Sequence, residues 1–397
     1  MARIVITTFG STGDLNPFVA LGLGLKARGH EVVFAVEYIF KPVVEATGLG
    51  PARHLTGNSA TALAPYSKEL YIKASPVSSV KIIINQYVVP TLEAKLEELR
   101  TICAGADLIV APTQQYAAAA VSELTGIPWA TVALIPASLP SAYVEPTPLP
   151  FKLPGPAQRL LNRALWELGM ATLRPIVDKP INAIRAKYGL PPRRNLLNNG
   201  NLSSWLTAIA TSPAFTPPQP DWPSQIKVTG FCFWDTPAGW TESAELSAFL
   251  DGSKPVVAVS SGSTSPDVKE VFDRFFRVSL EAIHQAGARA LVIGAAPGSL
   301  QGPLPGEVLA RPFAPFSKIY PRCAAVIHHG GIGTTAQGLR AGIPALVVPW
   351  GADQFYTAAQ VARAGTGSWL SRRAYTPEKA SRIIEGLIKP GSEYKKQ

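Results

Sequence analysis

AAVIHHGGIGTTAQGLRAGIPALVVPWGADQF, residues 324–355, sets the architecture. The apolar run Ala324–His328 is strand-like. It turns at His329-Gly330-Gly331-Ile332-Gly333 and enters a helical pattern at Thr334, which Gly342 and Pro344 close. Pro344–Val348 is a second apolar strand. Trp350-Gly351-Ala352-Asp353-Gln354 follows, then a helix over Gln354–Ala364. Near-continuous apolar strands separated by helices belong to parallel sheets covered on both faces.

Working outward, the same alternation runs through most of the chain. Pro255–Ser260, Val268–Ala286 and Arg289–Ile293 read as strand, helix and strand. Nearer the start, Arg3–Thr7 and Glu31–Val36 are strands flanking a helix over Pro17–Arg28. Asp107–Ala111 and Pro128–Ala133 flank a helix over Gln114–Thr125. Residues 212–240 contain six prolines and read as an extended connector. The expected organisation is a first α/β domain over 1–215, a linker over 216–240 and a second α/β domain over 241–375. Residues 136–156 hold seven prolines, a loop long enough to expect function or mobility. The helix over Pro156–Lys187 aligns Leu160, Leu161, Ala164, Leu165 and Leu168, a stripe expected to pack in the core rather than on lipid.

Of 397 residues, 47% are apolar and 16% charged, which supplies sizeable cores and excludes a disordered chain or a disulfide-stapled scaffold. Basic residues exceed acidic ones by 37 − 27 = +10, spread diffusely. That argues weakly for nucleic acid and fits anionic small molecules or a membrane surface as well. Cys103, Cys232 and Cys323 lie far apart in no motif, which points to a reducing compartment and against zinc. The opening MARIVITT is too short an apolar run for a signal peptide, and no run nears the roughly 18 residues of a membrane span. A cytoplasmic protein is expected.

Two loops can carry chemistry. In VITTFGSTGDLNP, residues 5–17, Asn16 reads as N-cap and Pro17 as first helical residue. Asp14 is then released from capping and sits at the carboxyl end of a parallel strand, where open α/β sheets bind ligands. Gly-x-Ser-x-Gly is absent there because Phe9 stands two residues before Ser11. In the 324–355 stretch, Gly331, Gly333, the hydroxyls of Thr334 and Thr335, and a helix N-terminus suit a diphosphate, with His329 able to donate to a phosphate oxygen; a tight turn beside core histidines is the plainer alternative. Asp353 and Gln354 pair an acid with an amide, which can grip vicinal sugar hydroxyls; Asp353 fits an N-cap equally well, and Trp350 fits the core. No P-loop, Asp-x-Asp pair or metal-spaced His/Cys cluster occurs, so no metal is expected.

At these residues the sequence resembles the family 1 inverting glycosyltransferases, in the branch holding sterol, macrolide, glycopeptide and rhamnolipid enzymes. Gly10-Ser11-Thr12-Gly13-Asp14…Pro17 is similar to that branch's N-terminal signature, and His328 through Thr335 with Asp353-Gln354 to its donor-site signature. The resemblance implies a GT-B fold: two Rossmann-like doubly wound domains facing across a cleft. It also implies a C-terminal helix or tail over 376–397 running back toward the first domain. It makes Asp14 the general base. His329 with the backbone of Gly331 to Thr335 would hold the diphosphate, beside Ser261, Gly262 and Ser263. Phe313 would lie under the nucleobase, and Asp353 and Gln354 would hold the sugar next to Trp350. The plant branch's histidine is missing from the first loop. Ala111-Pro112-Thr113 offers no acid, so the carboxylate would act without a relay. Thr12 stands where relatives often have Arg.

The implied activity is metal-independent transfer of a sugar, typically a hexose, with inversion. No cofactor is implied. The donor would be UDP-glucose or another UDP- or dTDP-sugar. The acceptor would be a small hydrophobic alcohol such as a sterol, phenol, polyketide or hydroxyacyl lipid. Tyr66, Tyr71, Tyr87, Tyr143 and Phe151, in loops with few charges, could form its walls or belong to the core. The chain is expected to act as a monomer, without nucleic acid; peripheral contact with a membrane stays open. Two other classes also stay open: an NAD-dependent oxidoreductase, and a non-catalytic binder of nucleotide sugar or lipid.

Overall fold

The computed structural model describes residues 1–70, 75–146, 151–237, 239–262, 269–294, 300, 303–351 and 353–395. The chain divides into two compact units, Met1–Tyr66 with Ser75–Trp234, and Asp235–Gln397 with Ser67–Ala74.

The first unit is built on a seven-stranded sheet. Its strands are β1 (Arg3–Thr7), β2 (Glu31–Val36), β3 (Arg53–His54), β4 (Leu108–Ala111), β5 (Trp129–Ala133), β6 (Leu206–Ile209) and β7 (Ile226–Val228), in the order β3-β2-β1-β4-β5-β6-β7. Every pairing is parallel. Side chains alternate across it: Val5 packs with Ile109 and Ala111 on one face, Ile4 and Ile6 with Phe18 and Phe34 on the other. Part of the proline-rich stretch expected to be a free linker thus pairs as the edge strand β7.

The helix Gly155–Lys187 corrects a second expectation. Over its first half the buried face is Asn162, Trp166 and Met170, while Leu160 and Leu168 are 71% and 64% exposed. Hydrogen bonding turns the helix this way. Asn162 Nδ2 and the Trp166 indole N–H donate to the carbonyls of Ala142 and Val144, at 2.9 and 3.0 Å, and so tie down the proline-rich loop. Buried polar groups need such partners, whereas an exposed leucine costs little.

The second unit repeats the plan with six parallel strands: β8 (Val256–Ser260), β9 (Arg289–Ile293), β10 (Val308–Arg311), β11 (Ala325–His328), β12 (Ala345–Val347) and β13 (Gly367–Trp369), in the order β10-β9-β8-β11-β12-β13. The C-terminal helix Pro377–Ile388 packs into this unit's own core, where Ala380, Ile384 and Leu387 join Phe275 and Ile283. Among the described residues no helix is long and apolar enough to cross a membrane.

In each sheet the strand order reverses direction at one place, between β1 and β4 and between β8 and β11. Loops leaving the carboxyl ends of the strands diverge there and open a crevice for ligands.

Candidate active site

At the first reversal, β1 ends and the chain turns at Gly10 into a helix over Thr12–Ala27, five residues earlier than Asn16 and Pro17 indicate. Ser11, with extended backbone, is the N-cap, and Pro17 lies inside the helix. Asp14 is therefore the third helical residue and does take part in capping. Its Oδ2 accepts from the Ser11 amide at 2.7 Å and the Ser11 hydroxyl at 2.8 Å. The sequence carried this signal as Ser-x-x-Asp, the spacing of a capping box. Desolvation raises the Asp14 carboxyl above its ordinary pKa, against the lowering effect of the two Ser11 bonds and of its own backbone amide. Gly10 makes the arrangement possible. Its φ is +111°, and a Cβ there would lie 2.5 Å from Asp14 Oδ2. The adjacent rim, after β4, presents Thr113 and Gln115, whose amide donates to Thr7 Oγ1 at 3.1 Å.

At the second reversal, the register pairs His328 with Ser260, so Ser261-Gly262 and His329-Gly330-Gly331 leave neighbouring strands. The His329 ring lies between two glycines. A Cβ on Gly262 would be 2.4 Å from its Cε1, and one on Gly331 2.5 Å from its Nε2. Burial pulls the His329 pKa down to about 4, with the Ser260 backbone working the other way. His328, wholly buried, is pushed down to about 3 by burial and by its neighbour. Its Nδ1 accepts from the Gly330 amide at 3.0 Å, which assigns the ring proton to Nε2. Both imidazoles are neutral at neutral pH.

Gly331 caps the helix Ile332–Arg340 with no side-chain bond. The amides of Ile332, Gly333 and Thr334 have no acceptor within the helix, and they carry the positive end of its dipole. Thr334 and Thr335 are buried, and the Thr335 hydroxyl donates to Gly331 O at 3.0 Å. Gly333 is exposed, with open space where a Cβ would stand. The turn can receive an anion on main-chain amides with a neutral imidazole alongside.

Beyond β12, Gln354 Oε1 accepts from the amides of Trp350 and Gly351, at 2.8 and 3.2 Å. Its carbonyl end therefore braces the loop, and the NH₂ end remains the group able to meet a sugar. Asp353 occupies the N-cap position of the helix Gln354–Arg363 but makes no side-chain cap bond. Trp350 is a core residue on one face. Its ring centroid lies 4.8 Å from that of Phe272, with Arg372 5.2 Å away. Phe313 is 50% exposed, an open aromatic surface. Ser261 is buried, and Ser263 lies outside the described residues.

The aromatic residues expected to line an acceptor pocket do not behave as one set. Tyr87 is core, 1% exposed, with its hydroxyl bonded to Lys95. Tyr143 and Phe151 stand exposed, Tyr66 is half-buried, and Tyr71 lies outside the described residues. No ring contact among the described residues joins any two of the four that are described.

Two parallel sheets of this doubly wound kind are the two-domain plan of the GT-B fold. Residues 4–132 match the glycosyltransferase family 28 N-terminal domain, and residues 280–393 match the erythromycin biosynthesis protein CIII-like C-terminal domain. The chain is 34% identical over 383 residues to O-mycaminosyltylonolide 6-deoxyallosyltransferase of Streptomyces fradiae, covering 92% of this chain and 85% of that protein. It is 26% identical over 381 residues to sterol 3-beta-glucosyltransferase of Candida albicans, covering 93% of this chain but only 24% of that longer protein. Among solved structures, the glycosyltransferase VinC in complex with dTDP superposes with a TM-score of 0.68 at 18% identity, over 99% of this chain and 92% of that one. The chain belongs to the family 1 glycosyltransferases and is a glycosyltransferase. These relatives do not favour the oxidoreductase or the non-catalytic binder.

Proposed function

We propose that the protein transfers a sugar from a dTDP- or UDP-sugar to a hydroxyl of a hydrophobic macrolide- or sterol-like acceptor, without metal and with inversion. The observation that carries this reading is Asp14. Ser11 anchors its carboxylate through Oδ2, and desolvation raises the pKa. That is the state of a general base: oriented, partly dried and more basic than an exposed aspartate. The relatives' names, one acting on a tylonolide and one on a sterol, supply the acceptor class, and the neighbour holding dTDP supplies one donor nucleotide.

The step balances simply. Asp14 Oδ1 takes the acceptor's hydroxyl proton while that oxygen bonds to the anomeric carbon. The bond from that carbon to the phosphate oxygen breaks, and its electron pair leaves with the nucleoside diphosphate. Charge growing on the leaving group meets the amides of Ile332 to Thr334 and a ring N–H of His329, donors fixed before the reaction begins. The NH₂ of Gln354 and the carboxylate of Asp353 hold sugar hydroxyls, and Phe313 stacks on the base.

The test is a panel of macrolide, sterol, phenolic and hydroxyacyl alcohols with UDP- and dTDP-sugars, read by mass spectrometry for a hexose or deoxyhexose increment. Proton NMR of the product reads the anomeric configuration, and turnover in EDTA reads the metal requirement. Asp14→Asn should lower turnover by roughly 10²–10⁴-fold with nucleotide affinity intact. Near-normal turnover in that variant removes Asp14 from the mechanism.

A further inference from the structure

Behind the turn that carries Asp14 lies a buried ion pair that the proposed reaction does not use. Glu37, directly after β2, is 1% exposed, and Lys95, on the helix Val89–Ile102, is 4% exposed. Lys95 Nζ lies 3.7 Å from Glu37 Oε1. The other oxygen, Oε2, accepts from the amide and the hydroxyl of Ser59, at 3.0 and 2.8 Å. The same Ser59 hydroxyl is 2.9 Å from the carbonyl oxygen of Gly10. Gly10 is the residue on whose bare Cα the Asp14 carboxylate rests.

The pair is tied to the turn from a second side. Lys95 also donates to the Tyr87 hydroxyl and lies 5.4 Å from the Phe9 ring centroid; Phe9 in turn packs on Tyr87 at 5.7 Å. Glu98, three residues further along the same helix, holds the segment before Ser59 by accepting from the Thr56 amide and hydroxyl, at 2.6 and 2.5 Å. Burial lowers the Lys95 pKa to about 8, with Glu37 and Glu98 opposing.

Burying two charges is expensive, and such a pair adds little net stability over apolar packing. Its geometry gives it another use. A serine hydroxyl has one proton, and here it has two acceptors. Lys95 beside Glu37 offsets the carboxylate's charge and weakens its competition, which leaves the proton available to Gly10.

We propose that Glu37, Ser59 and Lys95 are positioning residues for the catalytic turn: through the Gly10 carbonyl they fix the backbone on which Asp14 lies and keep its carboxylate partly dry. This rests on Asp14 acting as the base. None of the three touches the reacting atoms. Releasing Gly10 lets the turn open, admits water to Asp14 and makes it a weaker, less well-aimed base.

The experiment follows the carboxyl directly. Protein labelled with ¹³C at the aspartate carboxyls is titrated by NMR, with the Asp14 signal assigned as the one lost in Asp14→Asn. In the native protein Asp14 should titrate above the usual aspartate range. In Ser59→Ala its midpoint should move down toward that range. With the best acceptor from the panel, kcat should fall roughly fivefold to tenfold, the worth of one hydrogen bond. Affinity for dTDP and UDP should not change. Ser59→Cys, close in size but only a weak donor, should shift the midpoint the same way and serves if Ser59→Ala folds poorly. An unmoved Asp14 midpoint with unchanged kcat overturns the proposal, including where the melting temperature drops, since that is a purely structural effect. Full turnover by Asp14→Asn sinks the base assignment beneath it. An inactive Asp14→Asn beside a native-like Ser59→Ala sinks only the positioning role.

Discussion

Replacing Gly331 with alanine tests the donor turn most directly. Gly331 has φ −62° and ψ 136°, a conformation any residue adopts, so alanine brings no backbone strain. The added Cβ would stand 2.5 Å from His329 Nε2 and 2.8 Å from Cε1. Heavy atoms settle at about 3.5–4.0 Å, so the ring must retreat by roughly 1 Å. Gly262 blocks retreat on the other side, because the ring already fills the place of its Cβ. The imidazole must swing away and lose the bond to the diphosphate proposed for it. A hydrogen bond to a charged group is worth about 1.5–3 kcal/mol, which predicts a Kd for dTDP or UDP roughly 10- to 150-fold weaker by titration calorimetry. Stability should drop by no more than about 1 kcal/mol, the difference between glycine and alanine as N-cap. His329→Ala should lose a similar amount, and the double variant no more than either alone, because both remove one interaction. Native-like affinity in Gly331→Ala, or additive losses in the double variant, would refute a role for His329 in holding the diphosphate.

Other expectations follow from the same rims. His328 and His329 stay neutral when folded, with pKa values near 3 and 4, but protonate near 6.5 when unfolded. Stability should therefore fall as pH drops from about 6.5 toward 4, by up to about 1.4 kcal/mol per pH unit for each histidine. Chemical denaturation of His328→Gln across that range should show a shallower dependence. Gln354→Glu keeps the acceptor for the Trp350 and Gly351 amides but removes the NH₂ donor. Its melting temperature should hold while the KM for the sugar donor rises and affinity for the bare nucleotide does not change. Phe313→Ala, at a side chain half exposed, should leave stability within about 0.5 kcal/mol. It should weaken nucleotide binding by about 1–3 kcal/mol if the ring stacks on the base.

The central strands other than β6 were legible because each is a short apolar run closed by a turn residue; β1, β2 and β9 keep the bounds their sequence indicates. The edge strands were not. Arg53–His54, Ile226–Val228 and Gly367–Trp369 are two or three residues long, and their neighbours in the sheet, not their composition, make them strands. Asp14 was found for a reason that does not hold, since it does share the cap with Ser11. Sequence chose Asn16-Pro17 as the helix start because that pair is a strong local signal. The turn begins earlier because Gly10 and Ser11 supply the bend and the cap. Trp350 and Tyr87 show the opposite limit. An aromatic residue beside a functional loop carries no local mark telling a binding wall from a core, and both pack inward. Glu37, Ser59 and Lys95 carry no sequence signal, because the contacts that join them to one another and to Gly10 span 22 residues or more.

The neutrality of the two histidines has a consequence for how the donor is gripped. An anion seated on the 330–335 turn meets dipoles and no fixed cation from that turn. Raising ionic strength should therefore loosen the complex only slightly. A phosphate oxygen drawn up beside His329 also stabilises its imidazolium form. In mildly acidic buffer the nucleotide should then carry a proton in with it, and the heat of binding should depend on the ionisation enthalpy of the buffer chosen.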